Sequence, residues 1–485
     1  MAGRRLRRLS ESPLNTGSMT TTTLGAREME RRLGFAEHVE RGRRARQLSL
    51  WRDSLLGAAW LVTVAGIAFF LASGAMAWTA PVDAVNALGR FTGVVATALI
   101  LFQMALASRA PWIERALGHD KALKLHGTLG EPIFYLLVAH AALLVVGQGS
   151  LAGRGVLDQT SWYLAHSRDI ALSILSLALL LIVGVTSIAA VRRRWPYETW
   201  HAIHLFTYAA IALAVPHQFG VGSTFSSSAA AKFFWISLYV VAVGSLVIWR
   251  MWMPLYRALR HRLRVMRVER HDDGTVSVTI GGRHLNRMNA RAGQFFIWRF
   301  MTPELWATAH PYSLSSSPDG RSLRITVKPL GDDSLALRRL RPGVRVVAEG
   351  PLGRFHHDSR VGRGLVLIGA GVGITPLRAM LEDERARRGE CTVVLRASTH
   401  LEAPLLDEIR QLAVTQGATL YEVIGPRGRG WSTPDGPQSL SQIIPRLSTC
   451  DVFVCGPEKW SARVKADARH HGVPDEAIHA EEFAW

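Results

Sequence analysis

Residues 126–140 read His126-Gly-Thr-Leu-Gly-Glu-Pro-Ile-Phe-Tyr-Leu-Leu-Val-Ala-His140, and residues 204–217 read His204-Leu-Phe-Thr-Tyr-Ala-Ala-Ile-Ala-Leu-Ala-Val-Pro-His217. Each is an apolar stretch with a histidine at either end. A histidine inside a membrane helix is costly to bury and usually has a partner or a job. At a rise of about 1.5 Å per residue, the two histidines of each stretch stand about 20 Å apart along a helix. Two such helices side by side would clamp two metal centres, one near each membrane face. A single membrane histidine can instead hydrogen-bond across helices; four at matched depths favour ligation. Neutral imidazole is a common axial ligand of heme iron, and two stacked hemes make a path for electrons through a bilayer. The geometry has one misfit. A 14-residue separation returns within about 40° of the same helix face, whereas 13 residues land about 140° away. The second stretch is therefore expected to bulge or bend, or to present its ligands from different sides. His201 competes with His204 at the helix mouth.

Around these stretches, six apolar segments stand out, at about 54–77, 91–107, 124–147, 170–191, 200–216 and 233–253. Arg109, Arg115, Lys121 and Lys124 follow the second segment, and Arg192, Arg193 and Arg194 follow the fourth. The positive-inside rule then places both termini in the cytoplasm, His126 and His204 near the inner face, and His140 and His217 near the outer face. The expected location is the cell membrane. Residues 1–48 carry eleven Arg against five Glu and read as a disordered basic tail with a surface helix, not a signal peptide. The net charge of +19 suits cations gathered at inner helix ends better than a nucleic-acid partner. The three cysteines form no CxxC pair, which disfavours a cysteine-ligated cluster or structural zinc.

Beyond about Leu263 the pattern becomes alternating. Residues 275–280, 295–300, 323–328 and 344–348 read as short strands of an antiparallel barrel, assigned to residues 262–358. Within it, His310-Pro-Tyr-Ser-Leu-Ser-Ser316 sets an aromatic ring and several hydroxyls beside a rigid proline, a surface that suits a flat cofactor. Gly350-Pro-Leu-Gly353 is a tight turn. From residue 363 to 485, strand and helix alternate, which implies a doubly wound parallel sheet. The strand at 365–368 runs into Gly369-Ala-Gly-Val-Gly-Ile-Thr-Pro376, a glycine turn whose backbone N–H groups suit a pyrophosphate. The strand at 451–455 ends in Gly456-Pro457. The expected architecture is thus a six-helix membrane bundle at 49–254, a β-barrel, and an α/β nucleotide-binding unit.

With these residues in hand, the chain resembles the ferric reductase and NADPH oxidase superfamily, its cytoplasmic half being similar to ferredoxin–NADP reductase modules. HPYSLSS at 310–316, GAGVGITP at 369–376 and CGP at 455–457 carry the resemblance, together with the histidine pairs. It implies that His310, Pro311, Tyr312 and Ser313 bind FAD, with Lys328, Gly331 and Ser334 lining its phosphate region. It implies that Gly369, Gly371, Gly373 and Thr375 hold the nicotinamide dinucleotide, and that Cys455, Gly456 and Pro457 lie by the hydride path. A C-terminal aromatic, Trp485 or else Phe483, would cover the flavin. His126, His140, His204 and His217 would ligate two b-type hemes.

The expectation is a transmembrane oxidoreductase that draws on NAD(P)H and FAD. Arg396 and Ser398 follow the second strand, where a 2′-phosphate would lie, which favours NADPH over NADH. The acceptor outside would be oxygen, giving superoxide, or ferric iron; a periplasmic partner protein or a quinone is an alternative. A transporter or scaffold with a regulatory flavoprotein half is the competing class, but the helices lack the mid-membrane carboxylates of that kind.

Overall fold

The computed structural model describes residues 43, 46–47, 49–74, 78–188, 194–195, 197–383, 389–428 and 430–482. The basic tail, Arg192, Arg193, Phe483 and Trp485 lie outside them. Six helices are long and apolar enough to cross a membrane: α1 Ser49–Ala72, α2 Pro81–Ala107, α3 His119–Leu151, α4 Arg168–Ser187, α5 Tyr197–Gly220 and α6 Ala229–His261.

Several spans run further than their apolar cores. The apolar run of α2 begins near residue 91, yet the helix starts ten residues earlier. Pro81 stands in its first turn, and the Asp83 carboxylate accepts the amides of Thr79 and Ala80, both at 2.9 Å. These groups satisfy donors that a helix start leaves open. Ser167 and Ser228 cap α4 and α6 in the usual way, each hydroxyl accepting an amide three residues on. Toward its C-terminal end α6 passes through a π-helical stretch, Val247–Trp252, before Pro254.

The bundle is built from hairpins. α3 packs along α2, and α5 along α4. Small residues bring the backbones together: a Cβ on Gly147 of α3 would overlap the buried Asn86 side chain of α2. Ser176 of α4 donates to the Ala210 carbonyl of α5 at 2.7 Å.

The next strands are β1 Arg264–Arg270, β2 Val276–Gly281, β3 Phe295–Phe300, β4 His310–Ser313, β5 Ser322–Val327 and β6 Val346–Leu352. They pair antiparallel as β1-β2-β5 and β4-β3-β6. Bridges Leu314–Ile325 and Arg264–Arg345 join the two sheets into a barrel around Trp298, Phe296, Phe300 and Ile325. The last unit has five parallel strands in the order β11-β10-β7-β8-β9: β7 Gly364–Ala370, β8 Cys391–Ala397, β9 Thr419–Ile424, β10 Cys450–Gly456 and β11 Ile478–Glu482. Helices α7 Ile374–Asp383, α8 Leu406–Gln416 and α9 Glu458–His470 complete it. Leu367 and Phe453 bury on one side of this sheet, Ile368 and Val454 on the other. A helical bundle, an antiparallel β unit and a parallel α/β unit are the expected fold class.

Candidate functional site

The four membrane histidines fall into two facing pairs. The rings of His126 and His204 have centroids 6.2 Å apart, and those of His140 and His217 6.3 Å apart. The histidines of α3 are oriented by α2. Nδ1 of His126 bonds the Gln103 carbonyl at 3.1 Å, and Nδ1 of His140 bonds the Gly89 carbonyl at 2.7 Å. A carbonyl only accepts, so Nδ1 carries the proton in both, and the Nε2 lone pair is left free on the opposite edge of the ring. Outer partners of this kind are how proteins orient metal-binding imidazoles. Two metal–nitrogen bonds of about 2 Å each, with the ring radii, set two centroids roughly 6 Å apart. Both pairs meet that spacing.

Nδ1 of His204 is buried without a hydrogen-bond partner among the described residues. Among the described residues, no group of three or more His, Cys, Asp or Glu side chains gathers to hold a bare metal ion. Two facing imidazoles at this spacing fit a metal whose other ligands come from a macrocycle. The ring of His204, rather than that of His201, faces His126, and Trp200 stacks on it at 5.1 Å. α5 shows no π-bulge. Pro216, one residue before His217, lies within the helix instead. A proline there removes a backbone bond and lets the last turn bend, which an ideal helical wheel does not represent.

In the barrel, β4 presents the HPYS stretch. The Tyr312 ring stacks on His310 with centroids 5.7 Å apart, and its carbonyl accepts the Trp298 indole at 2.9 Å. Burial, with Asp333 nearby, pushes the Tyr312 phenol well up, so it stays protonated. Burial lowers His310, and its Nε2 lies 3.0 Å from the Thr308 hydroxyl. The Ser334 hydroxyl closes the turn at 330–334, accepting the amides of Leu330 and Gly331 at 2.9 Å each. Lys328 stands half-buried just past the end of β5.

The two glycine turns meet at the carboxyl ends of β7 and β10. Cys455 pairs with Gly369 in the sheet. A Cβ on Gly373 would lie 2.3 Å from the Cys455 carbonyl, so only glycine permits this contact. Gly371 adopts φ +55°, a left-handed conformation, with open space before it. α7 and α9 both begin here, at Ile374 and just after Pro457. The Thr375 hydroxyl donates to the Val372 carbonyl at 2.9 Å. Ser398 is exposed, whereas Arg396 is buried and directs its guanidinium to the carbonyls of Ala397, Val423 and Pro426.

One member of the site escaped sequence reasoning. β11 lies parallel to β10 with Glu481 opposite Cys455. Glu481 is buried, and its carboxyl lies 3.5 Å from the Ser313 hydroxyl. Burial, then Asp120 of α3, pushes Glu481 well above the usual carboxylate range; burial, then Glu481, pushes the Cys455 thiol up. Barrel, nucleotide unit and membrane bundle therefore converge on one buried carboxyl. An acidic residue in the final strand was the available signal. His119 begins α3, and its ring meets the Phe295 ring edge-on at 5.7 Å.

Comparison with known proteins follows this division. Residues 92–215 match the family described as the ferric reductase like transmembrane component. The half that follows the membrane bundle is 28% identical over 187 residues to ferredoxin–NADP reductase B of Sorangium cellulosum, covering 36% of this chain and 77% of the relative. It is 33% identical over 199 residues to a flavohemoprotein of Chromobacterium violaceum, covering 37% of this chain and 49% of that one. The chain thus spans only about half the length of that flavohemoprotein. The FAD/NAD-binding domain of nitric oxide dioxygenase from Vibrio cholerae aligns over 46% of this chain and 99% of that domain at 25% identity, with a TM-score of 0.40. The class is a multi-pass membrane oxidoreductase. More particularly, the chain is a ferric reductase-like transmembrane domain fused to a ferredoxin-reductase-type module for FAD and NAD(P)H.

Proposed function

We propose that this chain moves electrons from cytoplasmic NAD(P)H, by way of FAD and two b-type hemes, to oxygen or ferric iron on the far side of the cell membrane, with both termini inside. The carrying observation is the pair of facing imidazole couples in α3 and α5, joined to an NAD(P)H/FAD module. Bound FAD supplies the conversion between a hydride donor and single electrons, and bound heme a one-electron relay.

The protein's part is placement. His126 with His204, and His140 with His217, would hold one heme each. His310, Pro311, Tyr312 and Ser313 would seat the flavin ring; Lys328, Gly331 and Ser334 would face its phosphates. Gly369, Gly371, Gly373 and Thr375 would receive the nucleotide pyrophosphate at the start of α7. Cys455, Gly456 and Pro457 would border the nicotinamide. Glu481, kept protonated by burial, can exchange a proton with the Ser313 hydroxyl. Trp485 would shield the flavin face. A preference for NADPH would rest on Ser398 and the exposed Arg427, because Arg396 is engaged by backbone carbonyls. Residues 49–254, 262–358 and 363–485 would be the three folding units.

Anaerobic optical titration of the purified, FAD-supplemented protein with NADPH and then NADH tests this reading. A b-type spectrum that becomes reduced is expected, with the faster nucleotide naming the donor. Admitting oxygen, a ferric chelate, a quinone or a periplasmic fraction then ranks the acceptors. A flavin that bleaches with no heme band in heme-reconstituted protein would overturn the four-histidine assignment.

A further inference from the structure

A cavity of about 580 Å³ lies between the membrane bundle and the barrel. None of the residues assigned above to heme, flavin or nucleotide lines it. Trp51 of α1 and Trp249 of α6 form part of one wall, and the Gly350–Arg354 turn after β6 forms another. Its charges do not balance. Arg109 pairs with Glu349, Arg291 with Asp358, and Glu114 with His119. Three more arginines line the same space: Arg115, Arg257 and Arg354. Among the described residues, none of these three has a carboxylate in ion-pair contact. Arg257 donates to the Gly350 carbonyl, and Arg354 lies across Gly118 at the start of α3. Arg354 is half-buried, and burial together with Arg52 lowers its pKa. A cation taken from water without a counter-charge is destabilising until an anion completes it.

The depth of the cavity selects the kind of anion. Trp51 of α1, on the cavity wall, is 50% exposed, and Trp249 of α6 stands on the same wall. Tryptophans at the two ends of membrane helices mark headgroup level. Trp51 and Trp249 line the cavity together with the arginines, so cations and headgroup-level aromatic rings share one space, which matches an amphiphile with a phosphate and acyl chains better than a free anion.

We propose that this cavity binds the headgroup of an anionic phospholipid of the cytoplasmic leaflet, with Arg115, Arg257 and Arg354 around the phosphate. The choice of leaflet rests on the orientation proposed above. A lipid seated there touches α1, the segment between α2 and α3, α6 and the β6 turn together, so it ties the barrel to the bundle.

The test uses the full chain in nanodiscs of phosphatidylcholine containing a fixed fraction of phosphatidylglycerol, with retained lipid counted by native mass spectrometry. Wild type is expected to retain phosphatidylglycerol in preference to phosphatidylcholine. Arg354→Gln and Arg115→Gln should each weaken retention about five-fold, the worth of one arginine near an anionic membrane surface. Arg115 is exposed and its loss leaves the fold intact, so a misfolded Arg354 variant does not void the comparison. Equal retention of the two lipids, or of wild type and both variants, would overturn the proposal. Displacement of phosphatidylglycerol by inorganic phosphate alone would overturn the lipid source and leave a soluble-anion site. The readout needs no electron flow, so it stands or falls separately from the electron-transfer reading.

Discussion

The nucleotide unit and the membrane bundle surround two of their buried polar clusters in different ways. In the nucleotide unit, Asp451 is fully buried and fully served: it accepts the amides of Val361 and Gly362 at 2.9 and 2.7 Å and faces His479 Nε2 at 2.9 Å. Arg378 meets Glu408 at 2.9 Å, and Glu408 also takes Arg324 of the barrel at 2.8 Å. In the membrane, Nδ1 of His204 is buried without a partner among the described residues. His126 and His140 turn bonded edges to α2 and free edges to α5. Protein interiors satisfy almost every buried polar group, so the open imidazole edges are the feature on which the heme proposal can be tested. Asp451 and Glu408 meet counter-groups of the protein itself; the facing imidazole pairs leave edges open for the proposed hemes.

His217→Leu should break this contrast with the largest effect. If the open imidazoles are heme ligands, the variant carries one heme in place of two, and external reduction stops while NAD(P)H still reduces the flavin. Pyridine-hemochrome content and flavin bleaching measured on one sample decide it. Unchanged heme and unchanged transmembrane flow would return His217 to the ordinary class of hydrogen-bonding membrane histidines.

Gly93→Ala sharpens the contrast at the orienting shell, not at the ligand. A Cβ there would lie 2.4 Å from Nδ1 of His140. The ring must leave the Gly89 carbonyl, and loss of such outer partners commonly weakens metal binding about 10- to 100-fold. Gly244→Ala, where nothing lies within 4 Å, is the matched control. Heme titration of the two variants should separate them; equal affinities would mean that α2 does not orient this ligand.

Much of this contrast is legible in the order of the amino acids. Histidine spacing announces the facing pairs, because helical rise depends on sequence separation alone. Alternation announces β2 and β3, and the glycine run announces the β7–α7 turn. The features that stay hidden depend on contacts between distant segments. β1 carries Arg264, Arg267 and Arg270, which mask a strand whose Val265 seals the barrel. Arg396 holds the position a 2′-phosphate would favour, yet the carbonyls of a neighbouring strand and turn capture it. Glu481 becomes a buried carboxyl only when β11 pairs with β10 and the barrel brings Ser313 against it.

Glu481 contrasts with Asp451 in the same unit, since its buried carboxyl meets a hydroxyl at 3.5 Å. Its pKa is raised above the ordinary value of 4.5. Above pH 4.5 the unfolded chain releases this proton while the folded protein keeps it, so the stabilisation present at low pH is lost as pH rises toward the folded pKa. Each pH unit in that window removes about 1.4 kcal/mol. Glu481→Gln keeps the shape, stays neutral throughout and abolishes this slope. Thermal midpoints of wild type and variant between pH 5 and 8 should therefore diverge, with the wild type falling faster. Parallel profiles would show that Glu481 ionises inside the folded protein, with water or a counter-charge reaching the junction of barrel, nucleotide unit and membrane helix.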